Sequence, residues 1–214
     1  MTHALIIIDV QNDFCPGGKL AVNGGHDIVP LVNTLAAQHA HVILTQDWHP
    51  EGHSSFASQH KGVEAFSQIE MPYGPQTLWP DHCIIGSDGA NFHSGLDVPH
   101  AELIIRKGFR KSIDSYSAFF ENDHKTPTGL GGYLKERGFK KITCVGLAFD
   151  YCVRYSAEDA KALGFEVTVI EAATRAINLG GTVDATRKSF AKIGVGFLRR
   201  HFFDRPSHPH LAAQ

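Results

Sequence analysis

Residues 142–170 read ITCVGLAFDYCVRYSAEDAKALGFEVTVI, and this stretch decides the fold. Short apolar runs at 142–146 and 166–170 have the composition of buried strands. Between them, apolar residues recur at helical spacing up to Gly164, and glycine is the residue type that favours a helix C-cap. The helical stripe comprises Val153, Ala157, Ala160 and Leu163. A strand, a helix and a second strand in this order predict a βαβ unit and a mostly parallel sheet.

The rest of the chain continues this alternation. Further apolar runs occupy residues 5–8, 42–45, 103–105 and 194–198, and helical spacing occurs at 28–35 and 183–193. Several runs are apolar on both faces, which is typical of buried parallel strands. The sequence therefore predicts one α/β domain over residues 1–200, a Rossmann-like three-layer α/β/α fold with a six-stranded sheet. We expect residues 201–214 to form a loosely held C-terminal tail.

One long segment interrupts the alternation. Residues 47–99 are rich in Pro, Gly, Ser and His and are much longer than an ordinary connection between strands. The segment also contains Trp48 and Trp79, and aromatic residues are uncommon in disordered chains. It is therefore predicted to be a folded, functional insert.

Composition excludes several protein classes. The 214 residues include 20 basic and 22 acidic side chains, a formal net charge of −2. This near-balance argues against a partner such as nucleic acid or an anionic membrane surface. No run approaches the ~20 apolar residues of a membrane span, and no signal-peptide pattern precedes the first predicted strand. The four cysteines form no C-x-x-C pair and are too few for a disulfide scaffold, so we expect a cytoplasmic protein.

Three polar residues directly follow predicted strands. In an open parallel sheet, ligands bind beyond the carboxyl ends of the strands. Asp9, Lys107 and Cys152 occupy such positions, and the predicted helix opens at Cys152. A helix N-terminus and a nearby lysine would both lower the pKa of that thiol, and a carboxylate could carry its proton. The competing interpretation is that the charges merely mark strand ends and that the cysteine is buried filler.

A second group has the composition of a metal site. Asp47 and His49 follow the run at 42–45 and are two residues apart, so in an extended chain they point to the same side. His82 could supply a third ligand, leaving open positions for water or substrate, as in a catalytic zinc, iron or manganese site. His53 lies four residues after His49. With fourteen histidines in the chain, a chance D-x-H pattern is the alternative.

The assembled motifs resemble those of the nicotinamidases, within the isochorismatase-like cysteine hydrolase superfamily. The resemblance covers nearly the whole chain. It is carried by LIIIDVQNDF (5–14), TQDWHP (45–50), LWPDHC (78–83), IRKG (105–108), DSYSAF (114–119) and GLAFDYCV (146–153).

The resemblance implies a role for each site residue. Asp9, Lys107 and Cys152 would form a catalytic triad, while Asp47, His49 and His82 would bind one divalent metal ion. In some members of the superfamily the histidine matching His53 ligates the metal, and in others water takes its place. A cis peptide between residues 147 and 148 and an oxyanion hole from the backbone N–H groups of Ala148 and Cys152 are also implied. The aromatic residues matching the substrate pocket are Phe14, Trp79, Tyr116 and Tyr151.

The implied reaction is hydrolysis of nicotinamide to nicotinate and ammonia, as in NAD salvage. It would proceed through a cysteine thioester, with zinc, iron or manganese orienting the pyridine ring. Pyrazinamide is expected to be a second substrate, and a homo-oligomer is the family habit. The first alternative is an amidase of the same superfamily that acts on a ureido or carbamoyl compound. The second is a non-catalytic metal-binding or interaction protein that retains the fold.

Overall fold

A computed structural model describes residues 2–198. Its eight strands are β1 (Thr2–Ile8), β2 (Val42–Asp47), β3 (Gln68–Met71), β4 (Gly74–Thr77), β5 (Leu103–Lys107), β6 (Phe139–Leu147), β7 (Glu166–Arg175) and β8 (Gly196–Leu198). Its four α-helices are α1 (Val29–Ala37), α2 (Leu130–Glu136), α3 (Arg154–Ala162) and α4 (Thr182–Ile193).

Six of the strands form the central sheet, in the order β5-β2-β1-β6-β7-β8. Every pair in this sheet is parallel. The predicted α/β fold with a six-stranded sheet is confirmed. Strands β2 and β5 follow β1 on one side of the sheet, and β6, β7 and β8 follow it on the other side. The direction in which strands are added therefore reverses between β1 and β6. At such a switch point the loops separate and leave a crevice at the carboxyl ends of the strands.

Side chains alternate between the two faces of the sheet and bury both. In β1, Leu5 and Ile7 pack on the side covered by α1 and by part of the 47–99 segment. Ile6 and Ile8 pack on the opposite side, against residues of α2, α3 and α4. Because a strand buried on both faces needs apolar residues at every position, its sequence is continuously apolar rather than alternating. Three layers result.

Several elements differ from those predicted. Strands β6 and β7 are longer than the apolar runs, because polar residues at their ends also join the ladder. Helix α2 was not predicted, since its sequence LGGYLKE contains two glycines and only one turn of helical spacing. The predicted opening of a helix at Cys152 is corrected. Cys152 lies in a π-helical turn, Phe149–Val153, and α3 begins only at Arg154.

The long insert is folded, mostly without regular structure. It contains the antiparallel hairpin of β3 and β4, which was not predicted because Gly74 and Pro75 break the strand pattern. Among residues 2–198, none of the helices has the length and apolar character that crossing a bilayer requires. The predicted tail at 201–214 lies outside the described residues, and the domain limit at residue 200 stays a prediction.

Candidate active site and metal centre

The carboxyl ends of β1, β5 and β6, which lie within four adjacent strands of the sheet, bring Asp9, Lys107 and Cys152 together. The Lys107 ammonium nitrogen lies 2.9 Å from Asp9 Oδ2 and 3.5 Å from Cys152 Sγ. All three side chains are buried. Because β1, β5 and β6 are parallel, the residues at or just beyond their ends meet although they are far apart in the chain. The positions expected from the sequence therefore form one cluster.

Asp9 is held in place by its own strand and by β2. Its oxygen Oδ1 accepts a hydrogen bond of 2.6 Å from the hydroxyl of Thr45. Its backbone has a φ of 48°, an uncommon value for a residue with a side chain. Burial raises the pKa of Asp9 above its ordinary value, and Lys107 only partly offsets this. A carboxyl group with a raised pKa is suited to accept and return a proton near neutral pH.

Lys107 connects two groups of residues. Besides Asp9, its ammonium group contacts Asp47 Oδ1 at 2.9 Å and the backbone oxygen of Ser115 at 2.9 Å. Burial alone would lower the pKa of Lys107, but the carboxylates of Asp47 and Asp9 raise it well above its ordinary value. The side chain is therefore a permanent buried cation between the nucleophile and the second group of residues.

The surroundings of Cys152 act on the pKa of its thiol in opposite directions. Burial raises the pKa of its thiol well above the ordinary value, and the carboxylates of Asp9 and Asp47 act in the same direction. Lys107 lowers the pKa but is outweighed. These effects together favour a protonated thiol, next to the Asp9 carboxyl group that could take its proton. The predicted helix N-terminus at Cys152 is wrong, because α3 begins at Arg154.

Asp47, His49 and His82 converge beside this cluster. Asp47 Oδ2 lies 3.1 Å from His49 Nε2 and 3.3 Å from His82 Nε2, and all three side chains are buried. The other nitrogen of each ring faces a backbone oxygen: His49 Nδ1 is 2.9 Å from that of Gly108, and His82 Nδ1 is 2.8 Å from that of Pro80. Donation to these carbonyls leaves the Nε2 lone pairs directed at the same space as the carboxylate.

This arrangement fits a divalent metal ion. One ligand atom from each of the three residues lies within 4.8 Å of the others. Histidine nitrogens fixed through carbonyl partners, together with one carboxylate, are a common donor set for zinc, iron and manganese. The imidazole of His49 and the ammonium of Lys107, together with hydrogen bonds from His49 and His82, hold the pKa of Asp47 well below its usual range despite burial. Asp47 is therefore ionised, as a metal ligand must be.

His53 lies outside the group of Asp47, His49 and His82, although one of its ring nitrogens is within 4.8 Å of ligand atoms of His49 and Asp114. Its Nε2 lies 3.0 Å and 3.1 Å from the backbone oxygens of Arg110 and Ile113, which only accept hydrogen bonds. Its Nδ1 faces the hydroxyl of Ser55 at 2.8 Å. Both ring nitrogens are therefore engaged by other protein atoms. The ring packs against that of His49, with centroids 4.4 Å apart, and supports the ligand from outside.

A pocket reaches both groups, with Cys152 of one and Asp47 and His82 of the other in its lining. All four aromatic residues predicted for the pocket lie in this region, and Trp79 makes edge-to-face contacts with Tyr151 at 4.8 Å and Tyr116 at 6.1 Å. The peptide bond between Leu147 and Ala148 is cis. The residues that line the pocket are Phe14, Leu20, Asp47, Trp79, His82, Asp114, Tyr116, Ala148, Tyr151, Cys152 and Ile177.

Sequence reasoning missed several residues that support the site. Gln11 is fully buried, and its side-chain amide bonds both the N–H and the C=O of Asp47, each at 2.8 Å. Asp114 contributes a carboxyl group to the pocket wall. Both residues lie within motifs that carry the family resemblance, at 5–14 and 114–119. The motifs contained the signal, but which side chain touches which cannot be deduced from spacing.

Comparisons with known proteins agree with this geometry. Residues 3–197 match the Isochorismatase domain family. A nicotinamidase of Acinetobacter baylyi is 50% identical over 192 residues, covering 90% of each chain. An Acinetobacter baumanii nicotinamidase and pyrazinamidase has a structure with a TM-score of 0.92 and 50% identity, covering 92% of this chain and 96% of that one.

Two further structures contain bound groups. A protein from L. infantum, solved in complex with nicotinate, has a TM-score of 0.80 and 37% identity, and 92% of each chain is covered. A pyrazinamidase of Pyrococcus horikoshii, solved in complex with zinc, has a TM-score of 0.76 and 30% identity, covering 93% of this chain and all of that one.

Proposed function

The chain belongs to the isochorismatase family, and from this premise we propose that it hydrolyses nicotinamide to nicotinate and ammonia through a thioester on Cys152. One observation carries the proposal: the Lys107 ammonium contacts Asp9, Asp47 and Cys152 at once. A nucleophile, a base and a metal ligand therefore share one buried cation at the wall of one pocket. The nicotinamidases among the similar proteins support the substrate.

Asp47, His49 and His82 would hold one divalent metal ion. When bound, such an ion supplies a Lewis acid that accepts a ring nitrogen lone pair and so orients the substrate. The zinc in the similar pyrazinamidase supports this assignment, and the donor set accommodates zinc, iron or manganese.

The first half of the reaction forms the thioester. Cys152 gives its proton to Asp9 as its sulfur attacks the carboxamide carbon, and Lys107 stabilises the negative charge on the sulfur. The backbone N–H groups of Ala148 and Cys152 are proposed to donate to the oxyanion; losing one such donor typically reduces the rate by about 10²–10³. Asp9 then returns the proton to the nitrogen as the C–N bond breaks, and ammonia leaves.

The second half regenerates the enzyme. Asp9, now a carboxylate, takes a proton from a water molecule that attacks the thioester carbon. The C–S bond breaks, the sulfur regains a proton from Asp9, and nicotinate leaves. The same carboxyl group thus serves as acid and base in turn, which suits its raised pKa.

The aromatic wall accounts for the choice of ring. Trp79, Tyr116 and Tyr151 enclose one side of the pocket with edge-to-face contacts, so a flat heteroaromatic ring can pack among them. Pyrazinamide has a ring of the same size with the same carboxamide group. We therefore propose it as a second substrate.

The test is ammonia release by purified protein from nicotinamide, from pyrazinamide and from a carbamoylated amine. We expect release from the first two. Cys152→Ala should abolish turnover yet still bind nicotinamide in calorimetry, whereas Cys144→Ala, a change at a buried cysteine in the preceding strand β6, should retain turnover. Release only from the carbamoylated amine, or appreciable turnover by Cys152→Ala, would refute the proposal. A homo-oligomer and a cytoplasmic location stay predictions.

A further inference from the structure

Gln76, at the pocket end of strand β4, is fully buried behind the aromatic wall. Its amide nitrogen lies 2.9 Å from Asp114 Oδ2, 2.8 Å from the hydroxyl oxygen of Tyr116 and 2.7 Å from the backbone oxygen of Thr77. Asp114 and Tyr116 both line the pocket. A single side chain therefore holds two pocket residues from behind.

The other end of the amide is equally constrained. Gln76 Oε1 accepts hydrogen bonds from Asn122 Nδ2 at 3.0 Å and from the Tyr73 hydroxyl at 3.3 Å. Asn122 in turn accepts from the backbone N–H of Tyr116 at 2.9 Å. Turning the amide over would place its oxygen against the oxygens of Asp114 and Thr77, so the network fixes the orientation. Tyr116 is thus held through both its hydroxyl and its backbone.

The network continues into the pocket wall. The Trp79 indole N–H donates to the Tyr116 hydroxyl at 3.3 Å, and the Tyr116 ring also contacts those of Tyr151 and Tyr155. Gln76 comes from the insert, whereas Tyr116 and Tyr151 come from the parts of the chain around β5 and β6. The amide therefore joins the insert to the remainder of the pocket at one buried point.

We propose that Gln76 is a positioning residue for the reaction, which holds Asp114 and Tyr116 in the conformation that binds the substrate ring. It acts through these two residues and does not touch the substrate. Because the wall contacts the ring in both ground and transition states, losing its geometry raises KM more than it lowers kcat. The choice of nicotinamide as the probe rests on the proposed function.

The test compares Gln76→Leu and Gln76→Glu with Gln68→Leu and Gln68→Glu. Gln68 is exposed on β3 of the same hairpin, so it is a matched control. Gln76→Leu removes the amide, and Gln76→Glu places a second carboxyl group against Asp114. We expect both to raise KM for nicotinamide about 10- to 100-fold, the loss typical of a hydrogen bond to a charged group, with kcat within about threefold. The controls should change neither constant.

Two measurements separate positioning from a general loss of structure. Nicotinamide affinity, measured by calorimetry in a Cys152→Ala background at equal zinc content, should fall by the same factor as KM rises. In a Tyr116→Phe background, the loss of nicotinamide affinity caused by Gln76→Leu should be at least threefold smaller. The reason is that the Tyr116 hydroxyl, which the Gln76 amide contacts, is already absent. Unchanged affinity in Gln76→Leu, or full additivity with Tyr116→Phe, would overturn the proposal.

A readout without substrate keeps this proposal distinct from the proposed function. The chain has two tryptophans, so the Trp79 indole N–H gives one of two indole signals in a nitrogen–proton correlation spectrum, assignable with Trp48→Phe. Gln76→Leu should shift the Trp79 signal and leave that of Trp48 in place. If nicotinamide does not bind even to the wild-type protein, the proposed function fails while this shift still reports the network. No shift of Trp79 would overturn the positioning role.

Discussion

At the scale of single residues, the chemistry depends on one buried cation. Removing an ammonium group from water is unfavourable by several kcal/mol unless partners replace the water. Lys107 has such partners in Asp9, Asp47 and the backbone oxygen of Ser115. The same contacts fix the Asp9 carboxyl group beside Cys152. The contacts that stabilise the buried charge of Lys107 are therefore the same contacts that assemble the catalytic residues.

Asp9→Asn tests the base at this scale. The variant keeps the shape of the side chain but cannot accept the thiol proton, so turnover of nicotinamide should fall by about 10²–10⁴. It also removes a negative charge that raises the pKa of Cys152. The Cys152 thiolate should therefore form at lower pH in the variant. The measurement is the pH dependence of iodoacetamide alkylation of metal-free protein.

The test is specific because Asp9→Asn should change turnover and thiol reactivity in opposite directions. Turnover should fall while thiol reactivity at neutral pH rises, and a merely damaged site would lose both. Cys152→Ala supplies the background rate from the other cysteines. An alkylation midpoint that is the same in Asp9→Asn and the wild type would contradict the assignment of Asp9 as the neighbouring base.

Residue positions were more predictable than residue states. Asp9, Lys107 and Cys152 could be selected because each follows an apolar run and parallel strands end at one edge. The direction of the pKa shift of Cys152 could not be predicted, because it depends on burial and on Asp47, which is distant in sequence. Similarly, His53 follows the D-x-H pattern at a suitable spacing, but its ring turns toward backbone oxygens.

At the scale of elements, the turn after β5 supports the metal ligands. Gly108 has a φ of +69°, and a Cβ built on it would lie 2.5 Å from His49 Cε1. Its backbone oxygen also receives the Nδ1–H of His49. The strand end that carries Lys107 thus continues into a glycine that both makes room for the ligand ring and orients it.

Gly108→Ala should weaken zinc binding about 10- to 100-fold, the range typical of changes to groups that orient a ligand. Gly62→Ala is the matched control: its φ is +75°, but nothing lies within 4 Å of the added carbon. Both variants carry the strain of an alanine at positive φ, roughly 1 kcal/mol. Zinc affinity is measured by competition with a chromophoric chelator. Equal losses in the two variants would mean that backbone strain, rather than contact with His49, is responsible.

At the scale of the whole molecule, the sheet and the presence of a folded insert were predictable, but the internal structure of the insert was not. Strands buried on both faces leave continuous apolar runs in the sequence, and the six runs gave the six parallel strands. The β3–β4 hairpin and helix α2 contain glycine and proline, and their conformations depend on tertiary contacts. Gly131 of α2, for example, lies where a Cβ would approach Leu163 to 3.0 Å. The contacts of Gln76 were equally inaccessible, because its partners come from separate segments.

The stability of the whole molecule should fall in alkali. Burial raises the pKa of the Cys144 thiol from 9.0 to about 12, so the folded protein keeps a proton that the unfolded chain loses. A raised pKa gives stability that is complete below the unfolded pKa and is lost as pH rises toward the folded one. Cys144→Ala removes this linkage. At neutral pH the variant should have a lower free energy of unfolding than the wild type. This difference between the two proteins should shrink by about 1.4 kcal/mol per pH unit between roughly pH 9.5 and 11. Urea unfolding under reducing conditions measures this, and a deficit that is independent of pH would contradict it.

The most direct test of the central claim is ammonia release from nicotinamide before and after removal of metal. The purified protein is assayed as isolated, after chelation and dialysis, and after addition of zinc, iron(II) or manganese. We predict that release falls to the background of the Cys152→Ala variant on chelation and returns with at least one of the metals. Full release by protein shown to be metal-free would contradict the account, because Asp47, His49 and His82 would then have no part in the reaction.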